Sequence, residues 1–166
     1  YKDGINIIEA QAAKNLLIEK LGLKEARIGL VAFSEKQLKA IISLCTATER
    51  LAIELALESD VLFLKTAEQV QGDECDEIIV SFGYGYNEDG RFDLRFGPLT
   101  QEGGDKRLNV LFSRAKRKIH FIHSVRAEDF PISENPAIHV LKQWFSYVEQ
   151  TKSASDSIRI LNLRNN

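Results

Sequence analysis

Short runs of consecutive apolar residues recur along the chain, and segments with helical spacing or polar turns separate them. The runs "RIGLVAF" (27–33), "VLFLKT" (61–66), "EIIVSF" (77–82) and "KIHFIHSV" (118–125) are short and apolar at successive positions. Drawn as strands, they are nearly apolar on both faces, which is the pattern of a parallel sheet covered on both sides. In "NIIEAQAAKNLLIEKL" (6–21), Ile7, Ala10, Leu17 and Leu21 fall at helical spacing, and Gly22 follows as a stop. Ser34 is placed to cap a long helix running to about residue 58, with Leu38, Ile41, Ile42, Leu51, Ile53, Leu55 and Leu57 as its apolar positions. "GDKRLNVLFSRAK" predicts a helix from about Asp105, and Pro136 opens a last one to about residue 149. Strands alternating with helices predict an α/β chain, with a mainly parallel sheet between two helix layers.

A chain of 166 residues is most simply one domain with a full core. That domain is expected over residues 1–150. Residues 151–166 are expected to be a linker or tail, because "TKSASDS" is polar; "IRILNL" is either a strand or the start of a missing part. The chain opens without Met and ends on "NLRNN", so it is expected to be a piece of something longer. A net charge of -2 names no partner, and any nucleic-acid contact has to be local. Cys45 and Cys75 lie far apart without metal-ligand spacing, which predicts packed thiols in a reduced, cytoplasmic setting. Every apolar run is short and interrupted by charge, so no membrane span is expected. From 83 to 104 the composition turns to Gly, Asn, Asp and Pro, predicting a long loop with a short hairpin around 92–96.

Four stretches invite a chemical reading. "QGDECDEIIV" (71–80) sets Asp73, Glu74 and Asp76 beside an apolar run, as the magnesium site of a nucleotide hydrolase does. In such hydrolases the acids follow the strand, because ligands bind outside the carboxyl ends of strands. Here the acids precede it, and the phosphate-cradling G-x-x-x-x-G-K-[ST] is absent from the sequence. "NEDG" (87–90), aligned as a calcium loop, puts Gly85 and Phe96 where carboxylates are needed, so it is a turn. His120 and His123 form H-x-x-H, but odd spacing on a strand sends the rings to opposite faces, and packing or surface placement is expected. In "KRLNVLFSRAKRK" (106–118), Arg107, Arg114 and Arg117 are mixed with Leu108, Val110, Leu111 and Phe112. A basic face on a surface helix is usually just solvated. A buried side on the same helix would nonetheless fix where the arginines point, and a fixed arginine suits bidentate phosphate recognition.

Three segments, in order and at the right separations, are similar to superfamily 1 helicases. "IGLVAFSEKQ" (28–37) resembles motif IV, "KTAEQVQGDECDEIIVSFGYG" (65–85) motif V, and "KRLNVLFSRAKRKIHFI" (106–122) motif VI. The Upf1-like group, and bacterial helicase-related proteins within it, are the most similar, and "FGYGYNEDGRFDLRFGPLTQEGGDKRLNV" matches their connection between motifs V and VI. The likeness covers about residues 6–130.

The resemblance implies a RecA-like fold serving as the second of two motor domains, with ATP and Mg2+ held mainly by a first RecA-like domain not found in this sequence. It assigns Arg114 to the γ-phosphate, as an arginine finger, and Glu74 to the ribose, with Gln71 and Gly72 forming the accompanying turn. Gln37 matches the motif IV glutamine, and Arg117 is a further candidate on the nucleotide side. Thr66 matches a position that touches the nucleic-acid backbone, and Ser113 keeps the hydroxyl of a motif VI threonine as a second nucleic-acid candidate. No metal ligand is assigned. The implied partners are single-stranded DNA or RNA and the first motor domain, with a fused nuclease in some bacterial relatives. Lys116 stands where the family carries arginine, losing a planar fork, and Glu77 where an apolar residue is common. A degenerate, non-catalytic module for binding nucleic acid or protein is the alternative reading.

Overall fold

A computed structural model describes residues 1–150 together with the backbone of 158–162. Apart from 158–162, the expected linker or tail over 151–166 lies outside the described residues. β1 (Ile28–Ala32) sits between β2 (Leu62–Thr66) and β3 (Cys75–Ser81). β4 (Ala115–His123) and then β5 (Ile158–Asn162) extend the sheet beyond β3, and every pairing is parallel. Helices α1 (Ile7–Leu23), α2 (Glu35–Ser43) and α3 (Ala47–Glu58) cover one face. Helices α4 (Gly104–Phe112) and α5 (Pro136–Gln150) cover the other. This is the three-layer α/β/α arrangement of a RecA-like domain.

The core is divided by the sheet, and β3 shows how. Its Ile79 packs with Leu17 and Ile41 beneath α1 and α2. Its Ile78 and Val80 turn the other way, towards Leu108, Leu141 and Phe145 of α4 and α5. Each such buried side chain stabilises the fold by about 1.5–3 kcal/mol relative to exposure. None of the described helices is long and apolar enough to cross a membrane.

Local chemistry moves several predicted boundaries. Helix α1 passes through Gly22 and ends at Lys24, in the left-handed region at φ 54. The long helix expected after Ser34 is two helices. Ser34 does cap α2, accepting from the Gln37 amide at 3.2 Å. At Thr46 and Glu49 a reciprocal capping box then starts α3 anew. Of the apolar positions expected there, Ile53 is buried, whereas Leu51 and Leu55 are more than half exposed. The loop after β3 holds a Tyr86–Phe92 bridge and a 3-10 turn at Gly97–Thr100 in place of a hairpin at 92–96. Phe92 and Phe96 turn inward instead and pack around Phe82 and Phe130.

Two polar arrangements lie inside. His120 and His123 are buried on opposite faces of β4, as their spacing predicts. His120 Nε2 meets Glu77 at 2.7 Å, and Lys20 of α1 reaches the same carboxylate at 2.8 Å. Glu77 is therefore largely buried between Lys20 and His120, where relatives commonly carry an apolar residue. Burial alone would raise its pKa, but Lys20 and His120 together hold it below the ordinary carboxylate value. Glu9 of α1 is fully buried at the carboxyl-terminal edge of the sheet. It accepts from the Gly83 amide at 2.6 Å, Ser124 Oγ at 2.8 Å, Asn6 Nδ2 at 3.0 Å and Ser81 Oγ at 3.4 Å. Burial pushes its pKa up from 4.5 to about 8, against the pull of those donors.

A carboxyl whose pKa rises on folding stabilises the fold most when protonated in both states, and that contribution is lost as pH rises towards the folded value. The Glu9 contribution should therefore decline between about pH 4.5 and pH 8. Urea titrations across this range should show a steeper fall in stability for the native chain than for Glu9→Gln; parallel pH profiles would contradict the assignment. Gly29 allows a second test. A Cβ built there would lie 2.4 Å from Phe63 Cζ, so Gly29→Ala should destabilise by about 1–3 kcal/mol, read as a lower urea midpoint at unchanged slope.

Candidate functional site

The amino-terminal edge of β3 and β4 gathers most of the residues singled out in the sequence. Leu108 and Leu111 bury one side of α4, and the helix ends at Phe112. Ser113 caps it, Arg114 turns out of it, and β4 starts at Ala115, earlier than the apolar run indicated. The expected helix carrying all three arginines is therefore not formed. Arg107 stays on α4 and donates to the Pro98 and Glu102 carbonyls, Arg114 lies in the turn, and Arg117 is on β4.

Parallel pairing sets motif V and motif VI side by side. The Cys75 amide donates to the Arg114 carbonyl at 3.2 Å, and Cys75 pairs with Ala115. Glu74 and Arg114 thus stand at adjacent positions where their strands begin. The Arg114 guanidinium donates through Nε to the Val110 carbonyl at 2.9 Å and through Nη2 to Ser113 Oγ at 3.2 Å. Both partners are neutral, so among the described residues these bonds orient the charge without cancelling it. Just beyond, the register slips between Cys75 and Glu77, where β4 carries the additional residue. Such bulges re-aim side chains. Lys116 turns to Glu74 at 3.4 Å, and Arg117 lies 4.0 Å from Asp76 and 3.9 Å from Glu77.

The connection from β2 to β3 brings in Gln71, Gly72 and Glu74. Ala67 and Val70 anchor it in the core. Gly72 takes φ +90 with open space where a side chain would be, and Gln71 borders a hollow of about 190 Å³ against Lys106, Arg107 and Val110. A second hollow of about 400 Å³ lies beside Glu74, bounded also by Arg27, Asp60, Gly72 and Lys116. Asp73 pairs with Lys65, Glu74 with Lys116, and Asp76 accepts from the Arg27 amide at 2.8 Å. The acids that resemble a magnesium site are thus each turned to a different donor. What this edge offers a nucleotide is a guanidinium, a carboxylate and an unobstructed glycine turn.

The remaining candidates are elsewhere. Gln37 is fully buried at the opposite, carboxyl-terminal edge. Its side chain accepts from the Asn6 amide at 2.9 Å and donates to the Asn6 carbonyl at 3.0 Å and Ser81 Oγ at 3.1 Å. It fastens the start of α1 and is not brought to the amino-terminal edge. Thr66, at the carboxyl end of β2, is 5% exposed and closes a turn with Gln69, whose Oε1 accepts from its amide at 3.1 Å. Ser113 stands beside Arg114, so the two nucleic-acid candidates occupy opposite edges. Arg27 and Lys65, which border Glu74 and Asp73, were not singled out from the sequence. The one available signal was Lys65 itself, a charge inside a run otherwise apolar on both faces.

Parts of the sequence are shared with known proteins. A family model described as an AAA domain matches residues 2–126 of the chain. A protein named Uncharacterized ATP-dependent helicase MG140, from Mycoplasma genitalium, is 42% identical over 73 residues, which is 44% of this chain and 6% of that protein. Its homolog in Mycoplasma pneumoniae is 44% identical over 69 residues, covering 42% of this chain and 6% of the relative. The matched segment is thus a small part of each relative. With the family match extending from the start of the fold to the end of β4, the chain belongs to this AAA domain family and is a superfamily 1 helicase motor domain.

Proposed function

We propose that this chain is the second motor domain of an ATP-dependent DNA or RNA helicase or translocase of the Upf1-like group. In this reading it closes on ATP and Mg2+ held by a first RecA-like domain of the same polypeptide. The observation that carries it is the β3–β4 register, which sets Glu74 beside an Arg114 whose charge is oriented but not neutralised. Similarity to proteins described as ATP-dependent helicases supports the use of ATP.

ATP with Mg2+, when bound, supplies the phosphoryl group that is transferred to water. Transfer spreads negative charge over the phosphoryl oxygens, and a guanidinium already aimed at them lowers the barrier without reorganising first. Arg114 takes that role. Its Ser113 and Val110 contacts reduce the orientations it must give up. Glu74 is placed to accept hydrogen bonds from sugar hydroxyls, and Gly72 lets the backbone approach. Gln71 completes the turn, and Arg117 adds positive charge nearby. The nucleic acid is assigned to the opposite edge, around Thr66, through backbone phosphates and with the strong salt dependence such contacts have. Contact there requires the Thr66–Gln69 turn to open.

Two outcomes test this. Residues 1–166 alone should show no ATP turnover above background, since the phosphate-cradling motif is absent from the sequence. In the full-length protein, Arg114→Ala should lower turnover by about a thousandfold or more while nucleotide binding persists. Unchanged turnover in that variant, or a full-length protein with none, would instead favour the non-catalytic binding module.

A further inference from the structure

Behind the 72–74 turn lies a cation that the proposed reaction does not use. Arg27 immediately precedes β1, and its backbone is held by Asp76: the Arg27 amide donates to Asp76 Oδ2 at 2.8 Å, and the Asp76 amide donates to the Arg27 carbonyl at 2.9 Å. The side chain is about two-thirds buried, and each guanidinium nitrogen makes a hydrogen bond. Nε donates to the Asp60 carbonyl at 3.0 Å, Nη2 to Asp60 Oδ1 at 2.8 Å, and Nη1 to the carbonyl of Glu74. Its carbon lies 5.6 Å from the centre of the Phe63 ring. Lys65 Nζ lies 6.0 Å from the same ring and pairs with Asp73. Phe63 can occupy this place because its partner across the strands, Gly29, has no side chain.

Consecutive residues of the turn are thus tied to cations seated on one aromatic ring: Asp73 through its carboxylate, Glu74 through its main chain. The Glu74 carboxylate itself is exposed, and its pairing with the equally exposed Lys116 holds it weakly. The main chain is therefore what fixes where that carboxylate starts from. We infer that Arg27, seated on Phe63, is a positioning residue for Glu74, holding the 72–74 turn so that the Glu74 carboxylate meets the nucleotide sugar beside Arg114. This inference rests on the role proposed for Glu74. Only a forked guanidinium can reach Asp60 and the Glu74 carbonyl together; an ammonium at this position keeps the charge and the stem over Phe63 but loses the bridge.

The test is a double-mutant cycle on ATP turnover in the full-length protein, using Arg27→Lys, Glu74→Ala and the pair. Arg27→Lys should raise KM for ATP by about five- to tenfold and leave kcat at saturating ATP within about twofold. Glu74→Ala should raise KM at least as much, and adding Arg27→Lys to it should cost nothing more, because the carboxylate to be positioned is gone. Arg27→Ala, measured alongside, should match Arg27→Lys in its effect on KM. An unchanged KM in Arg27→Lys while Glu74→Ala raises it, or effects of the two that simply add, would overturn the positioning role and leave the role of Glu74 standing. Glu74→Ala with no effect on KM would remove the role of Glu74, and the inference with it.

Discussion

A single inter-strand hydrogen bond, from the Cys75 amide to the Arg114 carbonyl, sets the geometry on which the candidate site depends. It begins the β3–β4 ladder, and the ladder cannot start elsewhere without moving buried side chains. Ile78, Ile79 and Val80 of β3 alternate between the two cores, so a slip of one residue would exchange their faces. The burial of apolar side chains on both sides of the sheet fixes the register from Glu77–Lys118 onward, and the additional β4 residue between Cys75 and Glu77 shifts the rim by one place, which makes Glu74 and Arg114 neighbours. Motifs separated by the whole 83–104 loop meet through the core register and that bulge together.

The two edges of the sheet are built on different physical terms. At the carboxyl-terminal edge, Glu9, Asn6, Gln37, Ser81 and Ser124 form a buried network in which side chains satisfy one another. Inside a protein such a network is stabilising only when it is complete, because an orphaned buried polar group is costly. It joins α1, α2, β3 and the end of β4, and leaves nothing for a ligand. At the amino-terminal edge the charges are exposed or half-exposed, and pairs such as Lys116–Glu74 contribute at most about 1 kcal/mol. Charges held that weakly can exchange partners when a stronger one arrives. The network at the first edge is closed and structural; the amino-terminal edge is open, with its main chain fixed and its side chains free to respond.

How much of this was legible in the sequence follows from the range of the interactions involved. The strands were legible because both faces of a parallel sheet are apolar, and the runs at 28–32, 62–66 and 77–81 show it. The early start of β4 was not, because Lys116 and Arg117 lie on the rim, where the ladder continues but the core does not. The break between α2 and α3 was hidden because apolar residues continue through it; the Thr46–Glu49 capping box was the local sign, outweighed by Leu51 and Leu55, which prove to be solvent-facing. Arg114, Glu74, Gln71 and Gly72 were identified by resemblance, and the fold brings them to one edge. Gln37 came from the same resemblance and sits at the other. The Glu9 network and the Arg27 bridge join residues separated by up to 118 positions, which no periodicity of one segment can report.

The connection between β2 and β3 links the two edges directly. It leaves the carboxyl-terminal edge at Thr66 and arrives at the amino-terminal edge at Glu74. Along the way it is tied by Gln69 to Thr66, by Val70 to the core, by Lys65 to Asp73 and by Arg27 to Glu74. A motor must make its grip on a polymer depend on the state of its nucleotide, and a coupling of that kind needs a physical element that both sites bias. A slack connection would absorb a displacement at one end. Pinned at each step, this one would carry it to the other. In the motor reading the 67–74 segment therefore acts as a lever and not as a switch: the switching is the approach of the first domain, and the turn at Thr66 is where its effect would emerge. On this view Arg27 acts at one point, the main chain of Glu74: it places the carboxylate through which the nucleotide would move the lever.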